Sequence, residues 1–385
     1  MIPFNKPYLT GKETFYIEDA VKSGKISGNG KYTQLCQQFF EERYHFKKCL
    51  LTTSCTDALE MAAILLNIKD GDEVIMPSYT FVSTANAFVL RGAKIVFADS
   101  RADHPNIDET RIEALITDKT KAIVVVHYAG VGCDMDIIMD IANRHKLYVV
   151  EDAAQAIDNF YIGKNGKKPL GSIGHLSAFS FHETKNIISG EGGMLVINDP
   201  QFCDRAEIIW EKGTNRSAFF KGVVNKYGWV DVGSSFLPSE IIAAFLWAQL
   251  ENLDKIQDER KKHWNNYNDN LSDWAESNKI LLPFVPEYST NNAHMFYLIC
   301  KSESQRAAII AHLKTENIMG VFHYISLHES EFYKGKHDGR FIENTQKFTE
   351  TLLRLPLFYE LETEKVINAL LQLNISEEEC ESDSN

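Results

Sequence analysis

Ala122-Ile123-Val124-Val125-Val126 is apolar at every position, so neither face of the strand it forms can be left to water. A strand buried on both faces belongs inside a parallel sheet covered by helices on each side. Outward from it, residues 48 to 200 alternate short β-rich runs with helical ones. The pattern predicts strands at Lys48–Thr52, Glu73–Met76, Lys94–Ala98, Ala122–Tyr128, Leu147–Glu151, Leu176–Phe181 and Gly193–Ile197. It predicts helices at Thr56–Leu66, Ser83–Leu90, Asp108–Leu115 and Met135–His145. Such alternation implies a three-layer α/β domain with its site at the carboxyl ends of the strands.

Beyond residue 200 the pattern changes. Ser239 is expected to cap a helix whose apolar positions are Ile241, Phe245 and Ala248. A charged helical continuation runs from Glu251 to about Glu276. A strand near His294–Cys300, a helix near Ser304–Glu316 and a closing helix near Glu362–Leu373 then form a smaller α+β unit. The expected division is a large domain with an N-terminal arm over 1–250, a small C-terminal domain over 251–375, and a tail over 376–385. That tail carries five acids and no base and is read as disordered.

The 385 residues carry a net charge of −13, or −8 without the tail, with ordinary apolar and charged fractions of 44% and 24%. This balance argues against a general nucleic-acid binder and against adhesion to anionic membranes. A local positive site for an anionic small molecule remains compatible with it. No apolar run approaches the roughly 18 residues of a membrane helix, and Met1–Pro7 has no hydrophobic signal core. Seven scattered cysteines without a CxxC pair read as reduced thiols in a cytoplasmic protein. Twelve dispersed histidines without HExxH argue against a metal site.

Three stretches could carry chemistry. Glu151-Asp152-Ala153-Ala154-Gln155 follows the apolar strand Leu147–Val150, where a parallel sheet presents its reactive groups; capping of a following helix is an equally good use of Asp152. Ser180-Phe181-His182-Glu183-Thr184-Lys185-Asn186 precedes Gly190-Glu191-Gly192-Gly193, whose glycines permit close backbone approach. A lysine shielded from water there has the lowered pKa of a nucleophile, although most lone lysines are surface charges. Thr53-Ser54-Cys55-Thr56 ends one strand and opens a helix, giving hydroxyls and free amides for an anion. Neither GxGxxG after a strand nor GxxxxGK[ST] occurs.

Taken in order, Thr53–Thr56, Pro77-Ser78-Tyr79-Thr80-Phe81, Glu151–Gln155, Ser180–Asn186 and Gly190–Gly193 resemble the StrS/DegT family of pyridoxal-phosphate (PLP)-dependent sugar aminotransferases. The resemblance runs from Ile2 through Leu357 and implies fold type I, with a mostly parallel sheet in the large domain. Asp72–Phe97, Phe181–Asn186, Lys212–Ser217 and Phe322–His328 are similar to members that aminate C4 of dTDP-4-keto-6-deoxyglucose. On this resemblance, Lys185 carries the cofactor and later moves the proton at the reacting carbon. Asp152 pairs with the pyridine nitrogen, Gln155 reaches the phenolic oxygen, and Phe81 stacks on the ring. Ser54, the backbone at Cys55, Thr56 and Ser180 hold the phosphate. Many relatives have Gly at Cys55. Many also have, where this chain has Leu237, an Asn that reaches the neighbouring subunit's phosphate; Ser235 is the expected substitute.

The resemblance also implies a cytoplasmic homodimer with shared sites, which passes through pyridoxamine phosphate as L-glutamate leaves as 2-oxoglutarate. Arg216 would meet the substrate's diphosphate. His323, Tyr324 and His328 would lie near the sugar, and Lys31, after Ser27–Gly30, would sit on a loop closing over the site. Lysine rather than histidine at 185 favours transamination over dehydration. The expected product is a dTDP-4-amino-4,6-dideoxyhexose of galactose or glucose configuration for surface glycans such as lipopolysaccharide or O-antigen. Amination at C3 of a related keto sugar, and a PLP-binding regulatory protein, stay open as rivals.

Overall fold

In the computed structural model, which describes residues 1–373, the strands are β1 (Lys48–Thr52), β2 (Glu73–Pro77), β3 (Lys94–Ala98), β4 (Thr120–Val126), β5 (Tyr148–Asp152), β6 (Phe160–Gly163), β7 (Gly166–Pro169), β8 (Leu176–Ser180), β9 (Gly193–Ile197), β10 (Phe296–Ile299), β11 (Val321–Phe322) and β12 (Leu352–Leu355). Seven of them form one sheet in the order β1-β9-β8-β5-β4-β2-β3. Pairings from β3 across to β8 are parallel, and β9 runs antiparallel to both β8 and β1.

The alternating pleat of β4 divides its side chains between two cores, as an all-apolar strand requires. Ile123 and Val125 pack with the helices Lys31–Tyr44, Met135–His145 and Glu240–Leu250. Ala122 and Val124 pack with the helices Cys55–Leu65, Val82–Val89 and Cys203–Trp210 on the other face. Each fully buried Val or Ile contributes about 1.5–3 kcal/mol. Three layers result. β4 stops two residues earlier than the apolar run predicts: His127 N–H makes the last ladder bond, to Asp152 O, and a turn follows with Ala129 at positive φ.

Ser239 precedes the helix Glu240–Leu250, but its side chain makes no capping bond. Only part of the expected stripe faces inward: Ala248 is buried and Phe245 half-buried, but Ile241 is 39% exposed, whereas Ala243, Ala244 and Leu246, outside the stripe, are buried. This helix is apolar on nearly every side, so spacing cannot choose its face. Glu240 anchors it instead, buried and accepting from the backbone N–H groups of Gly30, Tyr32 and Thr33 at the start of the helix Lys31–Tyr44.

A second sheet, β10-β12-β11, packs with the long helix Leu253–Ser277 and the helices Glu303–Thr315 and Thr363–Leu371 around a third core. The N-terminal residues join this part to the lysine loop: Ile2 bridges Ile318, and Asn5 Nδ2 donates to Glu183 O at 3.0 Å. Six cysteines are free thiols; Cys380 and the acidic stretch 376–385 lie outside the described residues. Among the described residues no helix is long and apolar enough to cross a membrane, and no cluster of His, Cys, Asp and Glu could hold a metal.

Candidate active site

The carboxyl ends of β1, β5 and β8 open into one cavity of about 510 Å3. Ser54, just past β1, caps the helix Cys55–Leu65 by accepting from Asp57 N at 3.1 Å. The first intrahelical bond is Ala58 N to Ser54 O, so the N–H groups of Cys55 and Thr56 have no acceptor within the helix. Thr56 Oγ1 donates to Ser83 Oγ at 2.8 Å. β9 presses against this helix start: a Cβ on Gly193 would fall on Ser54 C and Cys55 N, well inside contact distance. Ser180, at the end of β8, lines the same cavity.

Asp152 ends β5. Its Oδ2 accepts from Thr84 Oγ1 at 2.7 Å and its Oδ1 from Ala154 N at 3.1 Å. Thr84 in turn shares a 2.8 Å hydrogen bond with Thr80. Burial raises the Asp152 pKa, while Thr84, the Ala154 amide and Lys185 oppose the rise. No helix follows Asp152, so the alternative role reduces to a turn bond from one oxygen. Adjacent Glu151 points to the opposite face of the strand. There it meets His127 Nε2 at 2.9 Å and the amides of Gly171 and Ile173, each at 2.8 Å. The pleat thus gives one acid to the cavity and the other to the framework.

Lys185 lines the cavity, and burial pulls its amine below the ordinary lysine range, against the opposing charge of Asp152. Gln155 Oε1 is committed to Ala129 N at 2.7 Å, which fixes its amide and turns Nε2 toward Tyr324 OH at 3.3 Å. Phe81, 56% exposed, stands at the cavity wall with its ring 6.2 Å from that of Tyr324. His323 also lines the cavity, with Nδ1 2.9 Å from Tyr128 OH.

The other substrate candidates lie elsewhere. His328 is outside the cavity: its Nδ1 meets Ser78 Oγ at 2.8 Å, and burial with neighbouring His337 lowers its pKa to about 4. It is a neutral packing histidine beside Phe97. Lys31 opens a helix and binds Asp19 at 2.8 Å, and its loop is tied down by Glu240 rather than poised over the cavity. Arg216 and Ser235 line a second recess of about 580 Å3 together with Lys25, Asn29, Lys212 and Leu237. Within one chain, that recess is not the one holding Lys185.

Sequence reasoning missed Thr80, Ser83, Thr84, His182, His294 and Arg354, all in the Lys185 cavity. Thr84 was detectable in principle, lying one helical turn beyond Thr80 in a motif already singled out; Arg354 sits in a strand whose β-pattern carries no chemical signal.

A shielded amine, a carboxylate beside it and an amide-and-hydroxyl cradle are the donor set for an aldehyde, a protonated pyridine nitrogen and a phosphate, and the cavity has room for all three. Fold and site together define a PLP-dependent transferase of fold type I. The profile of the DegT/DnrJ/EryC1/StrS aminotransferase family matches residues 7–372, and the chain belongs to that family. GDP-perosamine synthase of Escherichia coli O157:H7 is 32% identical over 97% of this chain and 98% of that protein. A putative sugar aminotransferase of Streptococcus pneumoniae, solved in its PMP form, superposes with a TM-score of 0.87 at 25% identity, covering 96% of this chain and 98% of that one. DesV of S. venezuelae superposes with a TM-score of 0.86 at 29% identity, covering 96% and 97%. The protein is a PLP-dependent sugar aminotransferase.

Proposed function

We propose that the enzyme transfers an amino group from L-glutamate to C4 of a nucleotide-linked 4-keto-6-deoxyhexose, dTDP-4-keto-6-deoxyglucose in the first instance, for surface glycan synthesis in the cytoplasm. The observation that carries the reading is the meeting of Lys185, Asp152 and Gln155 in one cavity with His323 and Tyr324. The relative GDP-perosamine synthase is named for a nucleotide-linked amino sugar, which supports a nucleotide-linked sugar as the substrate class.

When bound, PLP supplies an electron sink for the carbon that loses its proton. The chain does the rest. Asp152 keeps the pyridine nitrogen protonated, with Thr84 and the Ala154 amide fixing its two oxygens. Lys185 Nζ, a weaker base than an exposed lysine, would hold the cofactor and serve as the acid/base that moves the proton at the reacting carbon. Gln155 offers Nε2 to the phenolic oxygen because its Oε1 is already used. The Cys55 and Thr56 amides, with the Ser180 hydroxyl and that of Thr56 turned from Ser83, would hold the phosphate at a helix N-terminus, and Phe81 would cover the ring and exclude water.

A homodimer extends this reading. Exposed Phe220 and Tyr227 line the recess of Arg216 and Ser235, and Val223 and Trp229, the latter 85% exposed, lie in the same stretch of chain; together they offer an apolar surface suited to a second copy. Across such an interface Ser235 would reach the neighbour's phosphate and Arg216 the substrate's diphosphate. Incubation with L-glutamate and dTDP-4-keto-6-deoxyglucose tests the reaction: a 4-amino-4,6-dideoxyhexose is expected, and nitrogen at C3 would move the assignment to the rival regiochemistry.

A further inference from the structure

Lys185 and Gln155 come from different strands, and one buried amide ties their segments together. Asn292, on the connection between the helix Leu253–Ser277 and β10, has no exposed surface. Its Nδ2 donates to Gln155 O and to Ile157 O, each at 2.8 Å, and its Oδ1 accepts from His294 N at 3.1 Å. Both donors and the acceptor are used, so the orientation of the amide is forced; a flipped amide would set its oxygen against two carbonyls. The carbonyl of Asn292 accepts from Asn186 Nδ2 at 2.9 Å, one residue beyond Lys185. Asn186 Nδ2 also donates to Gln257 Oε1, and its Oδ1 accepts from His294 Nδ1, both at 2.8 Å. Asn292 bears on the other side of Gln155 as well. Gly130, at positive φ, packs so closely that a Cβ there would fall on Asn292 Oδ1. The residue before it, Ala129, supplies the N–H that fixes Gln155 Oε1.

The pairing of β5 with β8 ends at Asp152 and Ala178, so beyond it the sheet no longer sets the spacing of the two segments. That spacing matters on the reading that Lys185 carries the cofactor and Gln155 meets its phenolic oxygen, on which this inference rests. The two groups then serve neighbouring positions on one rigid aromatic ring, and a misplacement of about 1 Å costs on the order of a hundredfold in rate. Both side chains are long and rotatable, so neither fixes the register by itself. We infer that Asn292 is a positioning residue that sets Gln155 against Lys185, keeping the donor for the phenolic oxygen in register with the amine. Asn292 does not line the cavity, so it acts only through these two segments.

The pH midpoint of the visible band of the PLP-loaded enzyme reads this register. A donor to the phenolic oxygen spreads its negative charge and weakens its hold on the proton it shares with the lysine nitrogen. Asn292→Ala should therefore raise the midpoint by roughly half to one pH unit, part of the worth of a hydrogen bond to a charged group. In the glutamate half-reaction kcat should fall roughly tenfold to a hundredfold, with KM within about threefold. Asn186→Ala cuts the other side of the same link, should move the midpoint in the same direction, and carries the test if Asn292→Ala does not fold. Gln305→Ala is the control: it removes a buried amide that bonds Lys301 N and Asn278 O in the small domain. Thermal melts of the cofactor-free proteins should show lost stability in both Gln305→Ala and Asn292→Ala, while the midpoint moves only in the latter. An unmoved midpoint in Asn292→Ala (in Asn186→Ala if the former does not fold), or an equal shift in Gln305→Ala, would reduce Asn292 to framework packing and overturn the proposal. Gln155→Ala tests the underlying reading separately. If it moves the midpoint and Asn292→Ala does not, the Asn292 assignment alone fails; if it does not, Gln155 is not at the phenolic oxygen and both fall.

Discussion

Asp152→Asn changes one charge while preserving shape, and the structure separates its effect on folding from its effect on chemistry. The carboxylate accepts two hydrogen bonds, from Thr84 Oγ1 and Ala154 N. In Asn the amide oxygen still accepts from Ala154 N, and the NH2 donates to Thr84 Oγ1, whose hydroxyl turns to Thr80; bonds to a charged group are worth about 1.5–3 kcal/mol each and neutral ones about 0.5–1.5, so the exchange forfeits roughly 1–3 kcal/mol in all. Burial of that carboxylate already disfavours its charged form, which is why its pKa is raised, and Asn removes this penalty. The two effects oppose each other, and the cofactor-free variant should retain its fold to within about 1 kcal/mol. Chemistry has no such compensation. Without the negative charge the ring nitrogen is not held protonated, and kcat should fall at least ~10²-fold, about 2.7 kcal/mol. Stopped-flow absorbance of the glutamate half-reaction, beside thermal melts of both proteins, measures the two quantities independently. A half-reaction rate within about threefold of wild type would refute the reasoning. A variant that loses activity only because it has melted would refute it equally.

Lys185→Ala should abolish turnover in a folded protein that still retains pyridoxamine phosphate, as judged by absorbance after gel filtration; near-wild-type transamination would remove Lys185 from the mechanism. The lowered Lys185 pKa means that the cofactor-free fold binds fewer protons here than the unfolded chain, so this group makes stability rise with pH from its folded pKa up toward 10.5. Lys185→Met should flatten that rise in pH-dependent melts, and an unchanged slope would contradict it. Thr84→Val deletes one of the two bonds to Asp152 and should lower kcat by about tenfold, with a smaller effect on KM; the reverse split would place Thr84 at the substrate instead. Ser235→Ala should weaken PLP retention by roughly 1 kcal/mol or somewhat more, and only in the dimer. Fluorescence titration of the cofactor at concentrations above and below dimer dissociation reads this, and equal losses at both concentrations would place Ser235 in its own chain's site.

Much of this was legible because the informative residues sit on strands. An all-apolar β4 admits only a central position, and Asp152 follows from strand β5 by pleat alone. Helices were harder. Those at Glu13–Lys22 and Lys31–Tyr44 carry mixed polar faces that spacing did not resolve, and the segment after Ser239 is too uniformly apolar to reveal which side is buried. Contacts between distant residues were invisible to local pattern. His328 reads like an active-site histidine until Ser78, 250 residues away in sequence, claims its Nδ1. Arg354 reads as a strand residue until His323 and Phe4 place its charge in the cavity. Lys31 was expected on a loop over the substrate and is instead paired with Asp19 at a helix start, and Ser235, expected to reach a neighbouring subunit's phosphate, lies in a recess that one chain alone does not connect to Lys185.

NMR analysis of the sugar nucleotide formed from dTDP-4-keto-6-deoxyglucose, L-glutamate and the PLP-loaded enzyme tests the central claim most directly. The account predicts a new amine at C4, one 2-oxoglutarate released per amine formed, and neither product with Lys185→Ala. An amine at C3, or recovery of unchanged keto sugar while the PLP band bleaches with glutamate, would contradict it.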